Sequence, residues 1–258
     1  MPENTTVPAV ERTLDILECL AQGEGRTMKE ITEELGIPGA SLFRILKNLT
    51  ARGYLLKLEG QPVKYTLGYQ ILHLAARYSD TSSLGSLAKP YMERLSGLTG
   101  QTVQFAVYRG GAFMYIEQVL SAAPVNIMAR LYTPMELNAS AGAKCILAQM
   151  DTESQRKIIR EAGLKRKTEH TIVEEEALIR ELEVTRERGY GVDSEEFALG
   201  IGCIAVPVFG AGNHCVGALG ITGRMEDYRG GKQFEDLKEQ ILRTAQEISA
   251  RLRGGSQF

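Results

Sequence analysis

The sequence predicts an α+β chain of two domains, and three observations carry that reading. Its 258 residues fall between one and two domains at about 150 residues each. Three short helical patterns are followed directly by a hairpin pattern, all before Gly68. From Thr102 onward the apolar spacing changes to a period of two, with helical patterns returning on either side of the strands.

Taken in order, Pro8 to Ala21 places Val10, Leu14, Leu17 and Ala21 on one helical face, and Gly23, Glu24 and Gly25 stop it. Thr27 caps a second helix, and Glu30 completes a capping box; Met28, Ile31 and Leu35 form its apolar side. Gly36-Ile37-Pro38-Gly39 is a tight break. A third helix then carries Leu42, Ile45, Leu46 and Leu49 on one face and closes at Gly53. Tyr54 to Lys57 and Val63 to Leu67 read as strands around Glu59-Gly60-Gln61-Pro62. This is the order of a winged helix-turn-helix domain, assigned to residues 7–68.

Gly68 to Asp80 is helical, with Ile71, Leu74, Ala75 and Tyr78 on one side, and suits a connector over 69–83 punctuated by Thr81-Ser82-Ser83. Another helix carries Leu87, Tyr91, Leu95 and Leu98 into a second domain, residues 84–254. There Val103, Phe105 and Val107 alternate with polar neighbours, Arg109-Gly110-Gly111 turns, and Ala112 to Val119 returns. Ala139 to Met150 and Glu174 to Arg188 read as helices. Ile201 to Phe209 and Cys215 to Thr222 read as strands joined by Gly210-Ala211-Gly212-Asn213. A last helix buries Phe234, Leu237, Ile241, Ala245, Ile248 and Leu252, before a tail at Gly254 to Phe258 that is expected to fray.

Composition narrows the function. Hydrophobic residues at 43% and charged residues at 24% are ordinary globular values. A net charge of −2 excludes a globally basic nucleic-acid binder. The average hides a reversal: residues 1–34 hold eight acidic and three basic residues, whereas residues 35–58 hold Arg44, Lys47, Arg52 and Lys57 and no acid. Opposite the apolar stripe of the third helix lie Ala40, Arg44, Lys47 and Ala51, flanked by Ser41 and Asn48. Ala40 and Ser41 permit close approach to bases, Arg44 suits bidentate pairing with guanine, and Ser41 and Asn48 suit phosphates or base edges. Lys64 in the hairpin is placed for the backbone or minor groove. A solvated face of an ordinary three-helix domain is the alternative at this point.

No basic segment followed by an apolar core opens the chain, and no run of 18 apolar residues spans a membrane, so a cytoplasmic location is expected. Cys19, Cys145, Cys203 and Cys215 are widely spaced and only three histidines are present, so neither a metal site nor a cofactor is expected. His73, His170 and His214 stand beside no nucleophile motif. Ser140 and Lys144 are spaced by four rather than three, and no phosphate loop is complete, so the chain is not expected to be an enzyme.

Several motifs together resemble one family. AVERTLDILECLA, EITEELGIP followed by Ser41, Arg44 and Leu46, then GYL and YTLGYQIL are similar to the amino-terminal domain of IclR-type bacterial transcription regulators. Ala88-Lys89-Pro90-Tyr91, Thr99-Gly100-Gln101-Thr102-Val103, Arg188-Gly189-Tyr190-Gly191-Val192-Asp193 and Gly200-Ile201-Gly202-Cys203 resemble its effector domain, so the likeness runs over 9–253. The resemblance implies a GAF-like α/β effector-binding domain joined by a helical linker to the winged helix. It also implies a homodimer or dimer of dimers on double-stranded operator DNA, acting as a repressor of catabolic genes. Gly39-Ala40-Ser41 departs from the family's usual Lys-Ser-Thr and removes one phosphate contact.

Asn138-Ala139-Ser140-Ala141-Gly142-Ala143 opens a helix with small residues, which suits either a carboxylate on exposed N–H groups or close helix–sheet packing. The resemblance favours the first and assigns an effector pocket to Asn138, Ser140, Ala141, Gly142, Asp193, Ile201, Cys203, Gly220 and Thr222. Here Ala143 replaces the family's glycine before Lys144, and Gly220 replaces a serine. Asp193 is expected to accept from a ligand hydroxyl, or else to cap a turn; Cys203 on its own reads as a buried structural thiol. The implied ligand is a small carboxylate: a hydroxy or sugar acid, or an aromatic acid if a ring fills the space at Gly220. Two readings of other classes stay open, a ligand-binding module whose helix-turn-helix contacts proteins and a cytosolic hydrolase.

Overall fold

The computed structural model describes residues 7–21, 23, 25–58, 60–77, 80–123 and 126–254, with the backbone alone at 76–77 and 80–83. Glu24, Glu59, Tyr78 and the tail from Gly255 to Phe258, all part of the reading above, lie outside the described residues. The chain forms two compact units, Met1–Ser79 and Asp80–Phe258, divided within the segment expected as a connector.

In the first unit, α1 (Pro8–Leu20) starts on a proline, whose fixed φ suits a helix start, and buries Ile16, Cys19 and Leu20. The expected face packs only in part: Leu17 meets the core, while Val10 and Leu14 are more than half exposed and the row through Ile16 is buried in their place. The two-residue strand β1 (Arg26–Thr27) leads into α2 (Met28–Leu35), where Thr27 and Glu30 form the capping box and Gly36, with φ 63°, ends the helix. α3 (Gly39–Ala51) buries Leu42, Leu46 and Leu49. β2 (Leu55–Leu58) and β3 (Lys64–Leu67) pair antiparallel, with Leu55 opposite Leu67, and β1 adds to β3 as a third strand too short to show a period in sequence. Gly68 is required where the chain passes Gly53, since a Cβ there would lie 2.2 Å from the Gly53 carbonyl oxygen. α4 (Tyr69–Arg77) completes the unit.

In the second unit, α5 (Asp80–Thr99) runs through Thr81-Ser82-Ser83, so the expected punctuation is helical. The sheet comprises β4 (Thr102–Arg109), β5 (Ala112–Val119), β6 (Gly191–Ser194), β7 (Ile201–Phe209) and β8 (Cys215–Arg224), all antiparallel in the order β5-β4-β8-β7-β6. β6 was unexpected; four residues including Asp193 and Ser194 carry little apolar signal. The remaining helices are α6 (Ala141–Leu147), α7 (Thr152–Ala162), α8 (Glu175–Arg188) and α9 (Gly231–Gly254). α7 was also unexpected, since it buries only Gln155 and Ile159.

The strands alternate large and small residues. Phe105, Val206, Leu219 and Ile221 pack with Met92, Leu95 and Ile241 of α5 and α9. Ala106, Ala205 and Ala218 face the other way, against Ala141, Leu147, Leu178 and Leu182 of α6 and α8. Small residues on that face let α6 approach the sheet closely, and this places its start beside the site described next.

Candidate functional site

The first unit presents α3. Ala40, Arg44, Lys47 and Asn48 are exposed, while Ser41 and Lys64 are half-buried. The Ser41 hydroxyl accepts from Arg12 Nη1 of α1 at 3.4 Å, which ties it to the helix behind. Phe43, next to the core residue Leu42, is 54% exposed on the same helix, and its apolar side chain gives no local sign of that exposure.

The second unit contains a cavity of about 340 Å³. Gln104 of β4, Tyr115 of β5, Asp193 of β6, Cys203 of β7 and Thr222 of β8 supply its wall, with Ser140 at the start of α6. The segment 126–136 runs along the edge of β5 and lines one side of the cavity. It is held by bonds from the Ala129 N–H to Gln118 Oε1 at 2.8 Å, from Tyr132 N–H to the Tyr115 carbonyl at 2.8 Å, and from Met135 N–H to the Phe113 carbonyl at 2.9 Å.

The polar wall is continuous. Asp193 Oδ1 accepts from the backbone N–H groups of Glu196 at 2.7 Å and Phe197 at 3.3 Å, while Cys203 Sγ lies 3.8 Å from Oδ2. The Thr222 hydroxyl donates to Gln104 Oε1 at 3.0 Å, and Gln104 Nε2 donates to Gln118 Oε1 at 3.2 Å. The Tyr115 and Ser140 hydroxyls are 3.4 Å apart. Burial raises the pKa of Asp193 against the pull of its two backbone donors and Lys144, and burial with the Asp193 charge pushes the Cys203 thiol up. Burial also raises the Tyr115 phenol. At neutral pH this wall therefore offers neutral hydroxyl, thiol and amide groups around one carboxyl. Behind it, the ammonium of Lys144 lies 2.5 Å from Glu196, whose carboxyl burial pushes up to about 7.

A thiol whose pKa burial and the neighbouring Asp193 raise is a poor nucleophile, and among the described residues no group of three or more His, Cys, Asp and Glu is arranged to hold a metal. The arrangement is suited to holding a small polar molecule.

The bacterial transcriptional regulator IclR C-terminal model matches residues 76–250, and the IclR helix-turn-helix model matches residues 9–59. This chain belongs to the IclR family of bacterial transcriptional regulators. It is 32% identical over 248 residues to the HTH-type transcriptional repressor AllR of Escherichia coli (strain K12), covering 95% of this chain and 90% of that one. The crystal structure of the Thermotoga maritima IclR matches with a TM-score of 0.79 at 26% identity, over 95% of this chain and 98% of that one. An IclR homologue from Microbacterium hydrocarbonoxydans, solved in complex with 4-hydroxybenzoate, matches in fold with a TM-score of 0.80 at 23% identity, over 95% and 99% of the two chains. The chain is a DNA-binding transcription regulator with a helix-turn-helix unit and a second, α/β unit.

Within this IclR-family regulator, Ser140, Asp193, Ile201, Cys203 and Thr222 come together around the cavity. Four residues assigned to it do not. Asn138 is fully buried, and its amide donates to the carbonyls of Lys165 at 3.0 Å and Ile172 at 2.7 Å, so it fastens a loop instead. Ala141 and Gly142 face the sheet; a Cβ on Gly142 would come within 2.9 Å of the Ala106 Cβ, so helix–sheet packing accounts for the small residues. Gly220 lies outside the lining, beside Ala205. The helix N–H groups expected to hold an acid are partly satisfied already, as the Ser140 hydroxyl accepts from the Ala143 N–H at 3.3 Å. Asp193 caps the turn through Oδ1, the second of the two expected roles, and also lines the cavity, with Oδ2 facing the Cys203 thiol.

Gln104, Tyr115, Met135, Phe197 and the exposed Arg130 were missed. A signal exists for Gln104: it is a polar residue between the apolar Val103 and Phe105 on an expected strand. The segment carrying Arg130 and Met135 has no period to read.

Proposed function

We propose that this regulator is controlled by a small hydroxy or sugar acid bound in the cavity of the second unit, and that it represses catabolic genes until that acid arrives. The observation that carries the reading is the cavity wall, where Gln104, Tyr115, Ser140 and Thr222 supply hydroxyl and amide groups beside Asp193. A volume of about 340 Å³ suits a ligand of a few carbon atoms. Arg130, exposed on the segment that edges the cavity, supplies the cation for the ligand carboxylate. Asp193 Oδ2, whose neighbour is the Cys203 thiol at 3.8 Å, also accepts from a ligand hydroxyl.

In this reading α3 enters the major groove with Ala40, Arg44, Lys47 and Asn48, while Ser41 and Lys64 reach the backbone. Two copies bind one palindromic site as a homodimer or a dimer of dimers, and the exposed Val10 and Leu14 of α1 support self-association. Bound acid shifts the affinity for DNA between two states of the chain. The chain acts in the cytoplasm by binding and not by catalysis; no helix among the described residues is long and apolar enough to cross a membrane.

Thermal unfolding with gluconate, D-glycerate, 4-hydroxybenzoate and acetate, each at millimolar concentration, tests the ligand class. Gluconate or glycerate is expected to raise the midpoint by several degrees, and Asp193→Asn is expected to remove that shift. A shift with 4-hydroxybenzoate alone would move the assignment to aromatic acids, and no shift with any of them would end it.

A further inference from the structure

Phe43 has no role in the core of the first unit. That core comprises Ile16, Leu20, Ile31, Leu42, Leu46 and Leu55, and Phe43, next to Leu42 in sequence, points away from it with 54% of its surface exposed. A single exposed aromatic residue is common and by itself signifies little. Its setting is the second observation. Phe43 lies one turn from the exposed Ala40 on one side and the exposed Lys47 on the other, with Arg44 adjoining. Residues 35–58 carry four basic and no acidic side chains, so the surface around the ring is complementary to a polyanion.

The major groove displays one apolar group to a side chain, the C5-methyl of thymine. Arg44 and Lys47 address phosphates and guanine edges, which leaves the ring as the largest apolar group of this face, beside the methyls of Ala40 and Ala51. Ala40, whose side chain is a single methyl, leaves room for the helix to approach closely enough for contact.

We propose that Phe43 reads thymine in the operator, packing its ring on the C5-methyl group in the major groove. The inference rests on α3 being the DNA-reading helix. It assigns to Phe43 a share of sequence specificity separate from the hydrogen-bonded contacts of Arg44.

The test uses the full chain and a duplex selected by it from a random pool. Each thymine in the duplex is replaced singly by deoxyuridine, which removes the methyl and keeps every hydrogen-bonding group. Removing the contacted methyl is expected to weaken wild-type binding about fourfold. The same replacement is expected to leave the affinity of Phe43→Ala unchanged. Phe43→Leu, which keeps an apolar contact, is expected to retain part of the sensitivity. An unchanged thermal midpoint is expected in both variants, because the residue is exposed. If no thymine shows a difference between wild type and Phe43→Ala, the inference is overturned, while selection of a duplex still supports α3 as the reading helix. If the chain selects no DNA at all, the reading of α3 fails and this inference falls with it.

Discussion

Lys144 on α6 and Glu196 in the turn after β6 form a buried ion pair, with the ammonium at 2.5 Å from the carboxylate and Lys144 wholly inaccessible to solvent. The backbone N–H of Glu196 in turn donates to Asp193 of the cavity wall at 2.7 Å. The pair therefore fixes the turn that orients Asp193, and it does so with two charges taken out of water.

Breaking one half of such a pair strands the other. Lys144→Met is expected to lower stability by roughly 3–5 kcal/mol in urea unfolding above about pH 8, where Glu196 is ionised. Lys144→Met combined with Glu196→Leu is expected to cost less than the single change, because no uncompensated charge remains. A double variant less stable than either single one would contradict this.

The Glu196 carboxyl also sets a pH dependence. Burial pushes its pKa from 4.5 up to about 7, against the opposing pull of Lys144. Between those values the folded chain holds more protons than the unfolded one. The contribution is thus complete below 4.5 and is lost as pH rises through about 7. Relative to Glu196→Gln, the wild type is expected to lose on the order of 3 kcal/mol across that window. Parallel stability–pH curves for the two proteins would refute it.

At Gly142 two effects compete. Alanine within a helix is favoured over glycine by roughly 0.5–1 kcal/mol. The added Cβ would meet the Ala106 Cβ at 2.9 Å, and overpacking of that kind costs about 1–3 kcal/mol. Gly142→Ala is therefore expected to destabilise by about 1 kcal/mol, with Ala106→Gly relieving the clash. A stabilised Gly142→Ala would show that α6 is free to move off the sheet.

On α3, phosphate contacts and base contacts separate by their salt dependence. Lys47→Ala is expected to weaken binding to any duplex and to reduce the slope of log affinity against log salt by about 1. Arg44→Ala is expected to lose discrimination between the selected duplex and scrambled DNA. Equal effects of both variants on selected and scrambled duplexes would remove the base-reading role of Arg44.

The order of elements in the first unit, β1 apart, and the β4–β5 and β7–β8 hairpins are legible, because each carries a clear period or a turn. The side of α1 that packs is not. Two apolar rows run along that helix, and only tertiary contact selects the one through Ile16. In the second unit the residues around Gly142 were legible as small but not as to why. A small residue serves a ligand or a neighbouring Cβ equally well, and the distance to Ala106 decides. Asn138, Lys144 and Glu196 act through partners far apart in sequence, which no local pattern records.

The most direct measurement is the affinity of the full chain for its selected duplex at about 100 mM salt, with and without gluconate, D-glycerate or 4-hydroxybenzoate. One of the first two acids is expected to change Kd by about 5-fold or more, and Asp193→Asn is expected to abolish the change while keeping the acid-free affinity. An affinity for DNA that none of the three acids alters, or that Asp193→Asn leaves equally responsive, would contradict control of DNA binding from this cavity.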